Sequence, residues 1–210
     1  MPDRSLPTGP GRPKDLEKRK AILEAAKDLF VRHGYANTSM DSIASEAGVS
    51  KLTVYSHFTD KETLFSAAVV ARCEEQMPAL FVPLSGDLPV ETVLLNIARA
   101  FQKLINSPES LELHRLMVAL GTQDPKLSMI FFEAGPQRIL DEMERLLARI
   151  DKAGSLRIDS PATAAEHFLN MVKGLSNFRL LVGCGAPPDA DSAERHVQEV
   201  VALFMRAHRA

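Results

Sequence analysis

The sequence predicts an all-α chain, and three observations carry that expectation. Apolar residues recur at spacings of three and four along almost the whole length; prolines fall where a first helical turn tolerates them; and nothing alternates as a strand except the short run 155–159. The 210 residues, 45% hydrophobic and 25% charged, suit one large domain or two small ones of an ordinary soluble protein.

Residues 1–14, rich in Pro, Gly and Arg, cannot bury apolar surface and read as a flexible basic arm. From Asp15 the residues Leu16, Ile22, Leu23, Ala26, Leu29 and Phe30 form one stripe of an amphipathic helix ended by Gly34. Thr38 or Ser39 caps a short second helix that carries Asp41, Ile43, Ala44 and Ala47 and stops at Gly48. After the Gly48-Val49 turn, Ser50 caps a third helix to about Phe58, and Thr59 to Glu62 fits the capping box of a longer fourth. Pro78, Pro83 and Pro89 punctuate a loop. Helices are then expected over 89–106, 108–120, 125–151, 160–182 and 189–208, with Ser107, Asp124 and Ser160 as caps ahead of Pro108, Pro125 and Pro161.

The net charge of -2 requires any nucleic-acid role to rest on a local basic footprint, and residues 1–20 supply one, with six basic residues against three acidic. Cys73 and Cys184 are far apart and lack metal spacing, which points to a reducing interior, the cytoplasm, and buried structural thiols; only Arg72 beside Cys73 argues for reactivity. No long apolar run or signal-like segment suggests a membrane partner. No catalytic or cofactor motif is present, and the six histidines are scattered, so neither an enzyme nor a metal or cofactor is expected.

On a helical wheel, Val54 and Phe58 share the inward face of the third helix, where Ile43, Ala44, Ala47 and Val49 can hold them. A helix this short depends on that packing. Leu52, Thr53, Tyr55 and Ser56 face outward, flanked by Lys51 and His57. Lys51 suits a guanine edge or a phosphate, and Leu52 or the Thr53 methyl suits a thymine methyl. Tyr55, His57, Lys61 and Ser39 or Thr38 can grip phosphates. This is the physics of a helix-turn-helix whose second helix enters the major groove of double-stranded DNA.

The stretch GYANTSMDSIASEAGVSKLTVYSHFTDKETLF resembles the N-terminal signature of the TetR family of transcriptional regulators, over about residues 15–66. FFEAGPQRIL at 131–140 and FLNMVKGLSNFRLLVGCGAPPD at 168–189 resemble, more loosely, an AefR-like C-terminal domain. The resemblance implies a helix-turn-helix domain over 15–66 and an effector-binding, dimerisation domain over 67–210. It places Ser39 and Lys61 on phosphates, Lys51, Leu52 and Thr53 on bases, and Tyr55 and His57 on the DNA backbone. Arg12 and Lys14 lie in an arm that in some members reaches DNA and is otherwise solvated. It further implies a homodimer that binds a near-palindromic operator, half-sites about one DNA turn (roughly 34 Å) apart, as a repressor released by a small, largely apolar effector. An activator of the same fold, an α-helical enzyme and a helical interaction protein are the alternatives.

In the C-terminal part, Phe101, Met117, Phe131 and Phe168 are compatible with an apolar effector pocket, or with plain core packing; His114 and Arg115 are its candidate polar groups. Gly135-Pro136 should kink a long helix, as a hinge or as a bend around the core. Leu175, Phe178, Val197, Val201 and Phe204 lie on stripes of the last two helices, where the resemblance places the dimer interface.

Overall fold

The computed structural model describes residues 12–76, 88–121 and 123–209, with side chains from residue 15 onward. Ten helices make up the described residues, which contain no strand: α1 (Arg12–Asn37), α2 (Met40–Glu46), α3 (Lys51–His57), α4 (Lys61–Gln76), α5 (Val90–Ile105), α6 (Pro108–Gly121), α7 (Pro125–Ala134), α8 (Pro136–Lys152), α9 (Pro161–Leu181) and α10 (Ala190–Ala207). The chain divides into two compact units, the boundary falling after Arg72 within α4. No helix of the described residues is long and apolar enough to cross a membrane. The expected loop at 78–86 lies outside the described residues.

In the first unit the caps explain the boundaries. Ser39 caps α2 in a reciprocal box with Ser42, whereas Thr38 is buried and donates its hydroxyl to the Gly34 and Leu29 carbonyls at 2.8 and 3.1 Å, closing the end of α1. Past α2, Gly48 adopts φ +64°, and the Gly48 and Val49 amides return to the Ser45 and Ala44 carbonyls. That is a Schellman stop, and the left-handed residue in it favours glycine. Ser50 caps α3 by accepting from the Thr53 amide. Val54 and Phe58 are buried as the wheel requires, as are Ile43 and Ala44 on the adjoining α2, and the Arg19 guanidinium lies over the Phe58 ring. The rings of Phe30, Tyr35 and Phe65 pack edge to face and stacked with centroids 4.9–5.9 Å apart, fastening α4 to α1.

Two expectations change here. Helix α1 begins at Arg12, so Arg12 to Lys14 form its first turn and not the end of an arm; residues 1–11 lie outside the described set. The cap of α4 is Asp60, whose carboxylate accepts from the Thr63 amide at 2.7 Å, one residue later than the box read at Thr59.

In the second unit α5, α8, α9 and α10 share a core in which Leu94, Met143, Leu147, Phe168, Val172, Val197 and Val201 are fully buried. Arg99 on α5 grips Glu194 on α10 with a two-pronged ion pair, and this guanidinium holds the Glu194 carboxyl down at about 2. The expected single helix over 125–151 is two, broken at Gly135 (φ -123°, ψ -81°). Pro136 cannot donate to the preceding turn, so a new helix starts where a kink was expected. Gly135 is also a close approach: a side chain there would meet the Cys73 sulfur at 3.0 Å. A second break interrupts α9, where Gly174 takes φ +58°. The carbonyls of Met171 and Val172 lie 3.0 and 3.1 Å from His196 Nε2 on α10, which donates to them across the break.

Candidate functional site

The first unit presents the outward face of α3. Leu52 is 80% exposed and Tyr55 45%, too much for side chains whose role is packing. Lys51 and Ser56 are exposed beside them, but neither is unengaged. Lys51 Nζ lies 2.8 Å from the Asp41 carboxylate of α2, which holds the ammonium above its ordinary lysine range. Ser56 donates its hydroxyl to the Thr53 carbonyl, and Thr53 pairs its hydroxyl with Ser50, leaving only its methyl outward. Ser39 is exposed at the start of α2.

Two of the expected contact residues are turned inward. His57 retains 10% side-chain exposure, and its Nε2 lies 3.2 Å from Asp15 Oδ1, in ion-pair range but not aligned for a hydrogen bond. Lys61 donates to the Tyr35 and Thr38 carbonyls at 2.9 and 3.1 Å and sits 4.3 Å from the centre of the Tyr35 ring. Two of its three protons therefore close the C-terminal end of α1. Arg12 and Lys14 are placed on the first turn of α1 by backbone alone.

The second unit contains a cavity of about 400 Å³. Helices α5 to α9 and the end of α4 contribute to it. Its walls include Phe101, Leu104, Leu113, Phe131, Phe132, Ile139, Leu140 and Leu169, with the polar groups Cys73, Ser110, His114, Glu166, Asn170, Lys173 and Asn177. Of the expected residues, Phe101, His114 and Phe131 line it. Arg115, Met117 and Phe168 do not. Arg115 donates to the Leu180 and Leu181 carbonyls at the end of α9, Met117 is buried at 5% exposure, and Phe168 lies in the core, edge-on to Phe204.

His114 packs edge-on to Phe131, and its Nδ1 lies 2.6 Å from the Ser110 carbonyl. Burial lowers its pKa below the usual histidine value, with Lys173 adding to the effect, so the ring is neutral. A carbonyl only accepts, so Nδ1 carries the proton and Nε2 is left an acceptor. Burial pushes the Cys73 thiol up to about 11, which makes it a poor nucleophile at neutral pH. Among the described residues no group of acidic, histidine or cysteine side chains could hold a metal.

The polar wall was missed by the sequence reading, although a signal existed. Glu166, Asn170, Lys173 and Asn177 recur on α9 at intervals of four, three and four, a polar stripe on a helix read only for its apolar one. That apolar stripe divides as well. Leu175 and Phe178 are exposed at 62% and 57%, with Val182 and Leu203 beside them in exposure, whereas Val197, Val201 and Phe204 are buried in the core of their own chain and are not free for a partner.

Residues 22–68 match the model for bacterial regulatory proteins of the tetR family, and residues 92–210 match that for the AefR-like transcriptional repressor C-terminal domain. The chain is 28% identical over 174 residues to the transcriptional repressor AcnR of Corynebacterium efficiens, covering 81% of this chain and 85% of that one. It is 26% identical over 160 residues to the transcriptional regulator SrpR of Pseudomonas putida, covering 76% and 73%. Among solved structures, a protein of Mesorhizobium loti MAFF303099 assigned to the TetR family gives a TM-score of 0.85 at 29% identity, over 93% of this chain and 98% of that one. The flavonoid-responsive regulator FrrA gives 0.80 at 31%, over 92% and 98%. With more than half its length under one family model and its helix-turn-helix under another, the chain belongs to the TetR family of transcriptional regulators and carries an AefR-like C-terminal domain.

Proposed function

We propose that the protein is a homodimeric, cytoplasmic repressor whose α3 reads a near-palindromic operator and whose cavity takes a small, largely apolar effector that releases the DNA. The observation that carries the first part is the face of α3. A leucine at 80% exposure and a half-exposed tyrosine sit on a helix already held by Val54 and Phe58, so their exposure costs hydrophobic stabilisation that only a partner returns. Lys51, Leu52 and Thr53 read bases; Ser39, Tyr55 and Ser56 contact the sugar-phosphate backbone, and Lys61 adds its one remaining proton. His57 is a weaker candidate, being directed at Asp15.

The effector reading rests on a largely apolar cavity of useful size within the second unit, and the flavonoid response of FrrA supports an aromatic occupant. An effector preferred by the low-affinity state empties the operator by population shift. Helix α4, which holds Lys61 near its start and Cys73 at the cavity wall, is the element through which the signal passes. Exposed Leu175, Phe178, Val182 and Leu203 form the dimer face.

The test is binding of labelled DNA from the promoter of the protein's own gene, titrated against salt, with a scrambled duplex in parallel. Specific binding that weakens steeply with salt supports the reading. Absence of sequence-dependent binding, both there and in a random-site selection, defeats it. Tyr55→Ala should weaken the specific complex and leave thermal stability unchanged.

A further inference from the structure

We infer that the effector is a phenol: an aromatic body lodged among Phe101, Phe131 and Leu169, with a hydroxyl whose single proton is shared by the acceptors His114 Nε2 and Asn177 Oδ1 and whose oxygen accepts from Lys173 Nζ. The inference rests on the effector cavity described above and specifies its occupant.

Asn177 carries the argument. It is 1% exposed and lines the cavity, and its amide is oriented by two donations from Nδ2, to the Ile105 carbonyl at 3.1 Å and to Asn106 Oδ1 at 2.9 Å. The Ile105 carbonyl, which can only accept, fixes which end of the amide is nitrogen, so the oxygen remains, and it is buried without a hydrogen-bond partner. A buried unpaired acceptor is costly and calls for a donor. His114 offers a second acceptor, Nε2, because its Nδ1 proton is committed to the Ser110 carbonyl. Glu166 adds a third acceptor to the lining. On the donor side Lys173 makes no ion pair or hydrogen bond among the described residues and lies close enough to His114 to disfavour its protonation.

These demands sort the ligand classes. An ionised fatty acid satisfies Lys173 but has no proton for Asn177 or His114. A hydrocarbon or an aryl ether satisfies none of the acceptors. An amine would face Lys173 with like charge. A phenolic hydroxyl gives one proton, accepts in return, and gains acidity beside an ammonium, and its ring matches the aromatic wall.

The experiment measures calorimetric binding of para-hydroxybiphenyl, its methyl ether, biphenyl and dodecanoate to the full-length protein, and to its Lys173→Met, His114→Phe and Asn177→Leu variants. Among the described residues Lys173 has no hydrogen-bond or ion-pair partner to lose and His114 hydrogen-bonds only within its own helix, so two of the three variants keep their fold even where Asn177→Leu fails, as circular dichroism will record. The phenol should bind at least about tenfold more tightly than each of the other three probes, because a site built around buried polar groups rejects an analogue that leaves them unpaired. In His114→Phe that preference should shrink to about threefold or less, and Lys173→Met should weaken the phenol while sparing biphenyl. Equal affinity for ether and phenol, or tighter dodecanoate, overturns the phenol assignment and leaves the cavity as an apolar effector site. Binding of no probe at all, or binding unaffected by a cavity-filling Leu140→Trp, overturns the effector-cavity reading and the assignment with it.

Discussion

Lys61 offers a sharp separation between a DNA-contact role and a structural one, and the structure sets the size of the effect. Replacing it by methionine keeps helix propensity and stem volume but removes an ammonium that closes the last turn of α1. A hydrogen bond from a charged group contributes about 1.5–3 kcal/mol when well buried; here the lysine is only half-buried, so the lower figure applies to the two carbonyls together. The Tyr35 ring adds about 0.5–1 kcal/mol of cation–π attraction. Against this, removing a positive charge from the start of α4 relieves an unfavourable dipole interaction of roughly 0.3–1 kcal/mol. The net expectation is a loss of about 1–2 kcal/mol. The chain has no tryptophan, and both of its tyrosines, Tyr35 and Tyr55, belong to the first unit, so tyrosine fluorescence follows that unit alone. With an m-value of about 1–2 kcal/mol per molar for a unit of this size, the urea midpoint should fall by roughly 0.5–2 M at fixed protein concentration. A midpoint unchanged within about 0.3 M, with only DNA affinity reduced, would refute the structural role and return Lys61 to the phosphates.

Other outcomes are expected from the remaining features. Because burial holds the His114 pKa in the folded chain below the ordinary histidine value of 6.5, the unfolded chain binds its proton first; stability of the second unit should be fully present above pH 6.5 and fall as pH drops below it, and His114→Phe should flatten that slope in urea titrations followed by circular dichroism. Thiol titration with a disulfide reagent should modify exposed Cys184 promptly and buried Cys73 only after denaturation; two fast thiols would contradict the burial that pushes Cys73 up to about 11. Gly174→Ala must hold a side chain at φ +58° with His196 ring atoms 3.2 Å away, and should lower stability by roughly 1–3 kcal/mol; a neutral result would mean that α9 runs straight there.

Much of this architecture was legible in the sequence because helix periodicity and caps are local signals. Ser39, Ser50, Asp124 and Ser160 cap the helices they were expected to cap. What escaped were features decided by partners distant in sequence. Whether Gly135-Pro136 bends or breaks a helix depends on the packing around Cys73, and the break at Gly174 is tolerated because His196, on another helix, satisfies the carbonyls it orphans. Lys61 and His57 look outward by spacing alone, yet Tyr35, Thr38 and Asp15 draw them in. The cavity was least legible. Large apolar residues mark core and pocket alike, so Met117 and Phe168 were indistinguishable from Phe101 and Phe131 until the helices were placed.

For the proposed base-reading role of Lys51, its pairing with Asp41 has a consequence for how the head would discriminate among DNA sequences. As a solvent-exposed ion pair it contributes little to stability, so folding does not depend on it. Its effect is to make the start of α3 electrically neutral before any DNA arrives. A bare phosphate must displace a carboxylate and then tolerate it nearby, so this lysine adds little to indiscriminate adhesion along the duplex. A guanine edge offers two fixed acceptors in the geometry of the groove, and can outbid the carboxylate without placing a second negative charge beside it. The pair thus taxes every site equally and is repaid only at some, which widens the interval between operator and bulk genome; Asp41→Asn should narrow it by strengthening the non-specific complex first.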